Sequence, residues 1–140
     1  MPSDKTAVEN KTSVPLGDPT CPEREVIKEP KEGTAENVIL QMYLAALKGD
    51  TEENFEKFYS CFAKTQKKTF VKDEHWPRII KFVRKYIQNP DQPAYTICKK
   101  VPSGEESIKI YIQSNDPQKT NPPILLLKED GALKVEVFTP

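Results

Sequence analysis

His75 is the one histidine of the chain, and so the one side chain whose ordinary titration falls near neutral pH. That makes it the first candidate for moving a proton. Asp73 and Glu74 precede it and Trp76 follows, at the head of a helical pattern where the helix dipole disfavours an imidazolium. A catalytic base also requires pocket geometry, so an exposed first-turn residue is the reading that fits better. Cys21, Cys61 and Cys98 are the only cysteines. They contain no Cys-x-x-Cys pair, and one histidine cannot complete the usual zinc sets, so neither a metal site nor a cofactor is expected. Cys61 and Cys98 could meet as a disulfide in an oxidising compartment or remain buried thiols.

Two further groups of residues suit binding better than catalysis. Rings recur at Tyr43, Phe55, Phe58, Tyr59, Phe62, Trp76, Phe82, Tyr86 and Tyr95. Tyr43, Phe58, Trp76 and Tyr95 are the candidate lining of a pocket for a small apolar ligand, although rings at helical spacing also serve as core. Between residues 64 and 85 stand Lys64, Lys67, Lys68, Lys72, Arg78, Lys81, Arg84 and Lys85, against only Asp73 and Glu74. Arg78, Lys81, Arg84 and Lys85 form a candidate patch for an anionic or protein partner, with Arg78, Lys81 and Lys85 on the side away from Ile79 and Val83. The whole chain carries 21 basic and 21 acidic residues, which argues against a general polyanion binder. No glycine-rich phosphate loop and no nucleic-acid motif accompanies the patch.

The elements that position these residues fit a chain of 140 residues, the size of one domain. Residues 1–33 hold five of the 13 prolines and no aromatic residue. They read as a disordered or extended leader, with Val26 and Ile27 able to dock as a short extended piece. A single domain then spans 34–140. Thr34 caps a helix with its apolar stripe at Val38, Ile39, Met42, Tyr43, Ala46 and Leu47, and Gly49 stops it. Asp50 caps a second, with Glu53 in the capping-box position and rings at Phe55, Phe58, Tyr59 and Phe62. After a polar connector, Asp73 caps a third that tolerates Pro77 in its first turn and ends at Asn89-Pro90.

Everything after Pro93 reads as strands: Tyr95 to Val101, an alternating run centred on Ile108, Ile110 and Ile112, the apolar run 124–127, and a last strand. Glu129-Asp130-Gly131-Ala132 is a hairpin turn. The last strand alternates Leu133, Val135 and Val137 against Lys134, Glu136 and Phe138. Three helices followed by a four-stranded antiparallel meander make an α+β domain. No run is long and apolar enough for a membrane span, and no signal segment follows Met1. A cytoplasmic protein is the first expectation, with an extracytoplasmic or lipid-anchored one if the chain is a processed form.

Two stretches carry a resemblance. Val38-Ile39-Leu40-Gln41-Met42-Tyr43-Leu44-Ala45-Ala46-Leu47-Lys48-Gly49-Asp50 looks like the opening helix of the nuclear-transport-factor-2-like superfamily, also called cystatin-like or SnoaL-like. Leu126-Leu127-Lys128-Glu129-Asp130-Gly131-Ala132-Leu133-Lys134-Val135 looks like its closing hairpin, with Leu133 where many relatives place Trp. The resemblance is closest in flavour to small bacterial proteins of unknown function. It implies helices packed into a curved sheet around a conical pocket, and dimerisation through the outer sheet face, with Tyr111 and Phe138 as anchors. Enzymes of this fold use a carboxylate or histidine on the pocket wall, and no such motif maps residue by residue onto this chain. The expected function is a non-catalytic ligand- or protein-binding domain. The alternatives are a proton-transfer enzyme of the isomerase or dehydratase type on an apolar carbonyl substrate, with His75 or a pocket carboxylate as base, and an adaptor for an anionic partner working through the basic third helix.

Overall fold

The computed structural model describes residues 21–87, 91–115 and 121–138. Thr34 caps α1 (Ala35–Leu47), its Oγ1 accepting the Asn37 N–H at 3.2 Å, and Gly49, at φ 113°, ends the turn after it. The cap of α2 (Glu52–Tyr59) is Thr51 and not Asp50: Thr51 Oγ1 accepts the Asn54 N–H at 3.1 Å. Asp50 is engaged elsewhere, accepting the Trp76 indole N–H at 2.8 Å.

The third helical run begins earlier than its acidic pair suggests. It opens as α3 (Lys68–Phe70) and widens into a π turn (Val71–His75), where the Trp76 N–H donates five residues back to Val71. It continues as α4 (Trp76–Phe82) and closes as a 3-10 turn (Val83–Lys85). Asp73 therefore lies inside the run and does not cap it. Proline has no N–H to donate and its ring crowds the carbonyl four residues back, so a wider turn just before Pro77 accommodates it. The Asn89-Pro90 stop falls outside the described residues.

The sheet has five strands where four were expected, in the order β1 (Glu25–Ile27), β2 (Tyr95–Pro102), β3 (Ser107–Gln113), β4 (Pro123–Glu129) and β5 (Ala132–Phe138), every pair antiparallel. The extra strand comes from residues assigned to the leader. Glu25, Val26 and Ile27 pair with Ile97, Thr96 and Tyr95, and Ile27 is buried. Residues 1–20 lie outside the described part. Asp130 and Gly131, at φ 54° and 82°, make the two-residue turn between β4 and β5, a geometry that favours glycine.

A one-residue bulge decides the end of β5. Leu125 pairs with Val137 and Leu126 with Val135, leaving Glu136 as the extra residue. The faces reverse beyond it, so Val137 points out at 48% exposure and Phe138 is buried among the helices. Phe138 is thus a core residue and not an outward anchor.

The core lies between the helices and the inner sheet face, where Ile97, Ile110, Ile112, Ile124, Leu126 and Val135 meet Ile39, Met42, Phe58 and Ile79, all of them buried. Both sheet edges are blunted. The Ala63 N–H donates to the Val135 carbonyl at 2.7 Å and the Val135 N–H to Cys61 at 2.8 Å, covering β5. On the far side the edge strand β1 is only three residues long, and Glu23 continues its pairing along β2, its N–H donating to Cys98 at 3.1 Å and its carboxylate accepting the Lys100 N–H at 2.8 Å.

Candidate functional site

The π turn brings His75 against three phenylalanines that are scattered in sequence. Its ring stacks on Phe62 at 5.8 Å and meets Phe70 and Phe138 edge to face at 5.2 and 5.4 Å. Nδ1 is buried and finds no hydrogen-bond partner among the described residues. Burial first, then the positive charge of Arg78, hold the imidazole below its ordinary value of 6.5, with Glu74 acting the other way as the smallest effect. His75 is accordingly a neutral ring in an aromatic enclosure, with no carboxylate among the described residues bonded to Nδ1 to orient it as a base.

The four residues expected to line a pocket fall into two ring clusters. Tyr43 stacks on Tyr86 at 5.7 Å and meets Tyr95 edge-on at 5.6 Å, and the Tyr95 hydroxyl donates to the Glu36 carbonyl at 2.8 Å. Burial raises all three phenols above their ordinary range, so none is a phenolate near neutral pH. Phe58 and Trp76 belong to the other cluster, 5.0 Å apart, with Phe55, Phe62 and Phe138 around them. All four are buried.

The cysteines pair differently from the expected alternatives. Cys98 forms a disulfide with Cys21, while Cys61 is the free, buried thiol. Burial pushes the Cys61 thiol up to about 11, against smaller opposing effects of Lys134 and Ser60, which leaves it a poor nucleophile. Among the described residues no group of three or more His, Cys, Asp or Glu could hold a metal ion. Nor is any described helix long and apolar enough to cross a membrane.

Tertiary ion pairs divide the basic segment. Lys64 pairs with Asp130 at 2.7 Å, Lys68 with Glu56 at 2.5 Å and Lys72 with Glu52 at 3.1 Å. Arg78, Lys81 and Arg84 are exposed and make no ion pair among the described residues. Lys85 is half-buried, and its carbonyl accepts the Asn115 N–H at 2.6 Å.

The outer sheet face was only partly anticipated. Cross-strand partners share a face, so Val101, Lys109, Leu125 and Val137 form one row, and Lys99, Tyr111 and Pro123 another. Leu127 lies between Ser107 and Lys134 on the same face. Leu125, Leu127, Tyr111 and Pro123 are half-buried, while Val101 is 42% exposed. Lys99 Nζ lies 4.7 Å from the Tyr111 ring centroid. The apolar run 124–127 was the available signal, since it offers more apolar residues than one sheet face can bury. Sequence reasoning also missed Lys100, held between Glu25 at 3.1 Å and Glu36 at 3.2 Å, where α1 and β1 meet β2.

No protein-family model, no curated protein and no solved structure matches the chain at a significant level.

Proposed function

We propose that this chain is a non-catalytic protein-binding domain that pairs with a second copy through the outer face of its sheet. The observation that carries the reading is the set of apolar side chains Tyr111, Pro123, Leu125, Leu127, Val101 and Val137 on that face, with Lys99, Lys109 and Lys134 among them. Blunted edges favour pairing through the face over strand addition. The order of helices then antiparallel meander, with the α1 stop and the Asp130-Gly131 turn, supports membership of the nuclear-transport-factor-2-like superfamily. The small-apolar-ligand version is ranked lower, because the rings it needs contact one another inside the core. The proton-transfer alternative is ranked lower still, because His75 lacks an orienting carboxylate among the described residues. The Cys21–Cys98 disulfide supports work in an oxidising, extracytoplasmic compartment.

The experiment is sedimentation equilibrium of the full chain beside Leu125→Glu, with circular dichroism to verify that the variant folds. The reading expects twice the 16.0 kDa chain mass for the native protein and the single mass for the folded variant. A native protein that stays at the single mass across the micromolar range would refute self-pairing.

A further inference from the structure

Several lysines of the chain already have partners within it. Lys57, Lys64, Lys68, Lys72 and Lys100 each face a carboxylate within 4 Å, and Lys134 donates to the Ser60 carbonyl at 2.8 Å. Arg78, Lys81 and Arg84 are exposed and face no carboxylate among the described residues; Lys81 Nζ lies only over the ring of Phe82, 5.3 Å from its centroid. Phe70 lies nearer the start of the same helical run. It contacts the ring of His75, which precedes Arg78 by three residues, and it is 50% exposed. A half-exposed phenylalanine whose ring partner lies one turn before an exposed arginine has the make-up of an interface anchor, a residue combination enriched where proteins meet.

We propose that Arg78, Lys81 and Arg84, with Phe70 as apolar anchor, form a docking surface for an acidic polypeptide segment that also carries an apolar side chain. Three features select this partner. Guanidinium groups hold carboxylates in a flat two-pronged geometry, and two of the three cations are arginines. Asp73 and Glu74 are exposed within the same run and would be repelled by a continuous anionic surface, whether lipid or nucleic acid. A peptide can place its few carboxylates past them. Three cations are also too few for the counterion release that drives nucleic-acid binding by basic domains. The surface lies on the helices and is separate from the sheet face proposed for pairing.

The test measures fluorescence anisotropy of a labelled peptide of alternating Glu and Phe against the full chain, with a Gln and Phe peptide as control. The expected result is binding of the Glu peptide alone, weakened by salt and lowered about tenfold or more in Arg78→Glu/Arg84→Glu. Phe70→Ser is expected to weaken it severalfold without changing the salt dependence. Leu125→Glu, which addresses self-pairing, is expected to bind the peptide normally. Equal binding of both peptides, or unchanged binding by the folded double variant, would overturn the proposal. So would failure of the Glu peptide to bind while phosphatidylserine vesicles or single-stranded DNA retain the chain, which would assign the surface to a lipid or nucleic acid instead.

Discussion

Removing the Cys21–Cys98 disulfide changes the unfolded chain more than the folded one, and the structure sets the size of the effect. The bond spans a sequence separation of 77 residues. Closing a loop of that length reduces the entropy of the unfolded ensemble by an amount equal to about 4.5 kcal/mol at 25 °C, and native disulfides commonly deliver about 2–5 kcal/mol. For a domain of this size that corresponds to a fall in Tm of about 7–20 °C. The bond also holds the segment that leads into β1, which otherwise depends on three pairs with β2 and on the hydrogen bonds of Glu23. Calorimetry with and without reductant, and on Cys21→Ala/Cys98→Ala, measures the shift. Thiol titration of the denatured, unreduced chain is expected to find one thiol, that of Cys61. Cys61→Ala is expected to leave none and to keep the reductant-sensitive Tm. A Tm indifferent to reductant, or three thiols in the unreduced chain, would refute the reasoning.

Two further outcomes follow from the aromatic clusters. The folded protein holds the His75 imidazole below its ordinary value of 6.5, so in the window beneath 6.5 the unfolded chain binds more protons. Stability is therefore expected to be full above that value and to fall as the pH drops toward the lower folded-state value. Denaturant titrations at several pH values check this, and His75→Phe, whose ring suits the same enclosure, is expected to flatten the dependence; an equal slope in the variant would contradict it. Asp50→Ala removes the acceptor of the buried Trp76 indole N–H and is expected to cost about 1–3 kcal/mol. Urea unfolding followed by the fluorescence of the single tryptophan measures it, and an unchanged midpoint would count against the contact.

Local chemistry was legible and long-range pairing was not. Thr34, Gly49 and the Asp130-Gly131 turn act within a few residues of themselves, so their types announced a cap, a stop and a hairpin. Asp50 and Thr51 are both good caps, and the choice between them was made by Trp76, 26 residues away. Asp73 looked like a cap because acidic residues favour first turns, yet the run starts upstream and widens ahead of Pro77. β1 was reduced to a docking hint because Val26 and Ile27 are all the apolar content it has, and a covalent bond to Cys98 supplies what packing does not. The bulge at Glu136 reversed Phe138, since one extra residue exchanges the two faces of a strand. At the candidate surfaces, helical spacing put Arg78, Lys81 and Lys85 on one face, and of these Lys85 is half-buried while Arg84 is exposed. Which neighbouring lysines would be neutralised depended on carboxylates of α2 and the β4–β5 turn, which only the folded chain brings close.

The most direct test of pairing through the sheet is a dilution series of the isotope-labelled full chain followed by amide NMR. The account predicts concentration-dependent shifts confined to Val101, Tyr111, Leu125, Leu127 and Val137 and their strand neighbours, with α1 and α2 unaffected. Shifts centred on the helices, or a spectrum that does not change on dilution while the mass stays at 16.0 kDa, would contradict it.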